Sequence, residues 1–130
     1  MTTISIISGS IREGRASHRI ALYFKNYLEE NNLAEVKLHD LAQYNFPLFN
    51  EQLINQKNPD SAVIKFEKLI ESADGVIIIS PEYNGGYPAA LKNVIDLLTT
   101  EWTKKPIGIV PVSSGSFGGM QVLQQLQFSI

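Results

Sequence analysis

The feature that most constrains this chain is Val76-Ile77-Ile78-Ile79, four aliphatic residues in an unbroken run. Such a run leaves no face for water, so it reads as a strand in the middle of a parallel sheet covered on both sides. What flanks it agrees. Before it, Val63, Phe66, Leu69, Ile70 and Ala73 recur at helical spacing behind a capping Asp60 or Ser61. After it, Pro88 opens a second helical pattern with Leu91, Val94, Ile95 and Leu98. The arrangement repeats along the chain. Ile4, Ile6 and Ile7 form a β-rich run, followed by a helix from Ser17 with Ile20, Ala21, Phe24, Tyr27 and Leu28 as its apolar stripe, ending at Asn31-Asn32. Val36 and Leu38 alternate with charged neighbours, as in an outer strand polar on one face. Ile107, Ile109, Val110 and Val112 read as a further strand, and a helix starts at Met120 with Leu123 and Leu126. Residues 40 to 59 are an irregular excursion with room for a short helical piece. Four strands, each followed by a helix, predict an α/β fold with an open parallel sheet and helices on both faces.

Length and composition narrow what such a fold does. With 130 residues the chain is one domain, 1–130, and large enough for a core of its own. A net charge of −2 with scattered basic residues gives no footprint for nucleic acid or an anionic membrane. No apolar run approaches the roughly 20 residues of a membrane helix. There is no cysteine, which excludes disulfides, thiolate metal sites and a cysteine nucleophile, and suits a reducing compartment. The N-terminus lacks a signal-peptide pattern, so a cytoplasmic location is expected.

In open α/β sheets ligands sit beyond the carboxyl ends of the strands, and three loops converge there. The first, Gly9 to Arg19, offers the hydroxyls of Ser10 and Ser17, backbone N–H groups, a helix N-terminus and Arg12, Arg15 or Arg19 for an anion. It is neither of the better-known phosphate loops. Ile11 stands where a dinucleotide fingerprint needs glycine, and Arg15-Ala16 stands where a triphosphate loop needs Lys-Ser/Thr. A hydroxyl-rich loop without a Mg²⁺ ligand fits a monophosphate; the bland reading is a strand-to-helix turn with Ser17 as N-cap. The second loop, Ser80 to Tyr87, sets two tyrosines, Glu82, Asn84 and two glycines after the most buried strand, as a flat ring would require. A proline-bounded turn covering the sheet edge is the alternative. The third, Ser113 to Gly119, has three glycines and three serines. It suits the edge of a planar ligand, or is a plain helix-entry loop.

Acid–base and nucleophilic constellations are weak. Two histidines, His18 and His39, do not make a metal site, and each also reads as a local polar group. Glu82 reads as a capping or solvated carboxylate more readily than as a general base. Lys92, Asn93 and Asp96 read as an outer helix face or as bracing for the loop before it. No protein catalytic residue stands out, which fits an enzyme whose cofactor does the difficult step.

Three segments, GSIREGRASHR, SPEYNGGYPAALKNVIDLL and PVSSGSFGGMQVLQQL, carry a resemblance to the NADPH-dependent FMN reductase family, the flavodoxin-like group with quinone, azo-dye and chromate reductases. The run PEYN before a proline-led helix reading LKNVID is the most specific, and DLAQYNFPLFNEQ adds to it. The resemblance implies FMN, with Ser10, Arg12, Ser17, His18 and Arg19 around its phosphate. It implies Pro81, Glu82, Tyr83, Asn84 and Gly85 along the isoalloxazine, and Ser113, Ser114, Gly115 and Gly118 on the ring's other side. It further implies hydride transfer from NADPH or NADH to the flavin and release of electrons to a small-molecule acceptor, in a homodimer or homotetramer. Relatives continue after the third loop through more helix, a strand and a last helix, so the domain is expected to be C-terminally incomplete at Ile130. Two other readings stay open: a flavodoxin-type electron carrier, which would bind FMN without being reduced by nicotinamide, and a flavin-free binding module, which would take up no FMN.

Overall fold

A computed structural model describes residues 1–130. The elements follow the order β1 (Thr3–Ser8), α1 (Ser17–Glu30), β2 (Glu35–Asp40), α2 (Ser61–Ser72), β3 (Gly75–Pro81), α3 (Ala89–Leu97), β4 (Ile107–Val112) and α4 (Met120–Ser129). Single 3-10 turns occupy Leu41–Gln43, Leu53–Asn55 and Thr100–Trp102. All strands are parallel, in the order β2-β1-β3-β4. This is the flavodoxin-like α/β architecture. Because β1 has β2 on one side and β3 on the other, strand order reverses between the loops after β1 and β3. That crevice is where such sheets take ligands.

Alternation along the strands sorts side chains into two cores. Ile6 and Ile79 face α1 with Ala21 and Val36. Ile7, Val76 and Ile78 face α2, α3 and α4, packing with Phe66, Ile70, Leu91, Val94, Val122 and Leu126. The unbroken run of β3 is thus apolar on both sides because helices cover both. Asp60 caps α2 by accepting the Ala62 N–H at 2.7 Å.

Three details depart from the sequence expectations. Tyr27 is not in the buried stripe of α1: it is exposed and stacked on Tyr23, since its position turns away from the sheet. Ser80 and Pro81 belong to β3, paired with Pro111 and Val112 of β4, so the second loop is shorter than its composition implied. The polar face of β2 is not uniformly wet. His39 is only 1% exposed, because α2 covers that face and sets Phe66 edge-on against its ring, with centroids 5.2 Å apart.

Candidate functional site

The three loops meet. A cavity of about 290 Å³ is lined by Arg12, Gly14, Arg15, Ala16 and Ser17 from the first, Pro81, Glu82 and Tyr83 from the second, and Val112, Ser113 and Ser114 at the third. That is the low end of the ~300–1,000 Å³ typical of ligand clefts. A second hollow of about 430 Å³ adjoins it, sharing Arg12, Gly14 and Arg15 and adding Ile11, Glu13, His18, Arg19 and Ala42.

Helix α1 opens onto the first cavity without a capping side chain, because Ala16 stands in the N-cap position. Ser17 is therefore the first helical residue rather than the cap. Its hydroxyl is buried, with the residue 2% exposed, and has no hydrogen-bond partner. A buried hydroxyl without a partner costs about 1–3 kcal/mol. Beside it lie the orphan N–H groups and positive dipole end of a helix. This arrangement suits an anion.

The neighbouring polar groups are tied to one another. Ser10, fully buried, hydrogen-bonds through Oγ to the Tyr83 hydroxyl at 2.7 Å and accepts the Arg12 N–H at 3.2 Å. The Arg12 guanidinium lies 5.9 Å from the centre of the Tyr83 ring. Arg15 donates to the Ser10 carbonyl and to Asp40 Oδ2, both at 2.7 Å. Asp40 also accepts the Ala42 N–H through Oδ1 at 3.0 Å. His18 Nδ1 bonds Ser8 Oγ at 2.9 Å, and its Nε2 is 3.8 Å from Asp40 Oδ2. The carboxyl ends of β1, β2 and β3 are thereby linked by side chains. Asp40 is the residue that the loop-by-loop reading missed. The available signal was a carboxylate ending an outer strand, on the rim that carries an arginine-rich loop.

Asn84 and Gly85 have positive φ, 52° and 77°, and form the centre of a two-residue turn in which Tyr83 and Gly86 exchange both N–H···O bonds, at 2.8 and 3.0 Å. This type I′ geometry is what an Asn-Gly pair favours, so both residues are accounted for by the turn. They do not line the three-loop cavity; nor do Gly115 and Gly118, and His18 and Arg19 lie on the adjoining hollow. Ser113 accepts the Gly115 N–H at 3.1 Å, which curls the third loop away from the cavity after Ser114. Glu82 caps, as its type allowed: Oε2 accepts the N–H of Val122 in α4 at 3.1 Å. Gly9 has no room for a side chain, since a Cβ would come within 3.0 Å of the Ile79 carbonyl and of Leu91. Asn93 braces a loop, but not the one before its helix: it accepts the Phe49 N–H at 2.6 Å and donates to the Pro47 carbonyl at 3.0 Å. Lys92 and Asp96 pair on the outer face of α3.

Behind the rim, His39 bridges the sheet and the 40–59 excursion. The Ser5 hydroxyl donates to the Leu69 carbonyl, so Ser5 Oγ accepts from His39 Nε2 at 3.1 Å and Nδ1 is left to accept the Tyr44 hydroxyl at 3.3 Å. Burial with no carboxylate partner lowers the His39 pKa to about 4.

The family model described as NADPH-dependent FMN reductase matches residues 2–128. Among curated relatives, the NAD(P)H-dependent FMN reductase LOT6 of Saccharomyces cerevisiae is 36% identical, covering 95% of this chain and 71% of the relative. An NADPH azoreductase of Bacillus sp. is 31% identical over 96% of this chain and 66% of its own length. A quinone reductase of Pseudomonas putida is 30% identical over 90% and 63%. The chain thus spans about two thirds of the length of these relatives. In three dimensions it resembles FerB, a flavoenzyme NAD(P)H:(acceptor) oxidoreductase of Paracoccus denitrificans, with a TM-score of 0.79 and 27% identity, covering 98% of this chain and 70% of that one. No helix is long and apolar enough to cross a membrane. Fold and sequence agree, and the chain belongs to the NADPH-dependent FMN reductase family.

Proposed function

We propose that residues 1–130 act as one domain that binds FMN in the three-loop cavity and passes reducing equivalents from NADPH or NADH to a small acceptor. The observation that carries the reading is Ser17: a buried hydroxyl without a partner, at an uncapped helix start, next to Arg12 and Arg15. A monoester phosphate satisfies all of these at once, accepting from the hydroxyl, the helix N–H groups and a guanidinium. When bound, FMN would supply the redox chemistry, that is hydride acceptance from a dihydronicotinamide and electron donation to a second molecule.

The protein's part is binding and orientation. Ser10 holds the Tyr83 hydroxyl and so fixes the wall formed by Pro81, Glu82 and Tyr83, while Ser113 and Ser114 form the facing wall. Arg19 lends positive charge from the adjoining hollow, which His18 also lines. Asn84, Gly85, Gly115 and Gly118 shape the two walls through their turns. Quinones and azo compounds are the acceptors that the quinone reductase and azoreductase relatives suggest, with metal ions and free flavin as the further candidates. We further infer a homodimer or homotetramer working in the cytoplasm, a compartment that a cysteine-free chain suits.

An absorbance spectrum after FMN addition and desalting, then anaerobic NADPH, tests the reading. A retained flavin band that bleaches is the expected result. A band that stays yellow indicates an electron carrier, and no retained band overturns FMN binding by this chain.

A further inference from the structure

Helix α4 starts with no capping side chain of its own: Gly119 precedes it and its first turn holds no acidic residue. Its cap comes from 40 positions away, where Glu82 Oε2 accepts the Val122 N–H. Helix α2, by contrast, is capped by the adjacent Asp60. Glu82 also lines the three-loop cavity, and it borders the gap between the second loop and α4 with Gly85, Met120 and Gln121. One side chain therefore straps the second loop to the helix into which the third loop runs. These two loops are the facing walls of the slot. The strap also fills the anion-attracting start of α4 with a fixed carboxylate. The start of α1, with Ser17, is left as the open one on this cavity.

We propose that Glu82 is a positioning residue. Through Val122 it fixes the spacing between the Pro81–Tyr83 wall and the Ser113–Ser114 wall, and so sets how firmly a flavin ring is held, without contributing to phosphate binding. The proposal rests on the FMN reading above. Its signature is equal weakening of flavins with and without a phosphate, since the ring is common to both. Charge is not required, only an acceptor at that point. Glutamine supplies one through its amide oxygen, and alanine does not.

The test is titration of the apoprotein with FMN and with riboflavin, followed by flavin fluorescence quenching, alongside amide hydrogen exchange at Val122. Glu82→Ala is expected to weaken both flavins by the same factor, roughly tenfold, and to speed exchange at Val122; the loss is of the size a missing helix cap produces. Glu82→Gln is expected to stay within about threefold of the unsubstituted protein. If Glu82→Ala does not fold, Glu82→Asp, one methylene too short, takes its place with the same expectation. Loss of FMN affinity alone would overturn the proposal by making Glu82 part of the phosphate site. Equal impairment by Gln and Ala would overturn it by showing that charge matters, and unchanged affinities would do so outright. Failure of the unsubstituted protein to bind either flavin overturns the FMN reading, and the strap with it.

Discussion

Ser17 and His39 are both buried polar residues, and they differ in what meets them. The hydroxyl of Ser17 meets nothing, so Ser17→Ala removes a cost from the empty protein and a bond from the loaded one. We expect the apoprotein of Ser17→Ala to gain up to about 1 kcal/mol in stability. Its FMN affinity is expected to fall roughly tenfold, the scale of one hydrogen bond to a charged group, with riboflavin affinity unchanged. Thermal unfolding and flavin titration read the two effects separately; a parallel loss for riboflavin would place Ser17 away from the phosphate. His39 is fully partnered as the neutral ring, and here pH is the lever. Its folded pKa of about 4 lies below the ordinary 6.5, so between those values the unfolded chain binds more protons than the folded one. Its contribution to stability is present in full above pH 6.5 and is lost as pH falls toward 4, to a total of about 3 kcal/mol. Urea unfolding from pH 7 to 4 should show a decline in the unsubstituted protein that is smaller by about that amount in His39→Gln.

At the scale of elements, the strands and helices were legible because each is written locally. The Val76–Ile79 run, the Asp60 cap and the spacing of Val63, Phe66 and Ile70 each act within a few residues. The turn at Asn84-Gly85 was equally local, although its composition read first as part of a ligand slot. What the sequence did not disclose are the ties between elements. Glu82 to Val122, Arg15 to Asp40 and Asn93 to Pro47 and Phe49 span 25 to 46 positions, and no periodicity records such pairs. The Asn93 brace is testable by itself. Its two bonds hold residues 47–49 against α3, with Leu48 exposed at the apex. Asn93→Ala should cost about 1–2 kcal/mol, or two ordinary hydrogen bonds, and hasten protease cleavage near Leu48 well before global unfolding. Unchanged cleavage would mean the segment is held from elsewhere.

Across the whole molecule, coverage of the sheet is uneven: one helix on one face, three on the other. Phe66 is the hub of the heavier side, in edge-on contact with His39, Tyr44 and Phe46. Truncating it to alanine opens a void beneath α2 and loosens the 40–59 excursion together. The expected loss is about 3–5 kcal/mol by urea unfolding, and a loss below 2 kcal/mol would show that the core collapses to fill the gap. The overall architecture was readable because the alternation of strand and helix admits few arrangements. The convergence of three loops into one cavity was readable only as a consequence of that architecture.

The position of β1 has a further consequence, one of timing. It is made before β2, β3 and β4, yet it lies inside the sheet, paired to β2 and β3. Ile4 finds its partner at Gly75, 71 positions later. At roughly 5–20 residues per second of synthesis, the strand waits on the order of 4–14 s for its second neighbour. During that wait Ile6 and Ile7 have only β2 beside them, and a two-stranded ladder is marginal in water. Assembly of the sheet is therefore held back by the arrival of β3, and a chain of this design relies on the second edge of β1 staying free until the centre of the sheet has been made.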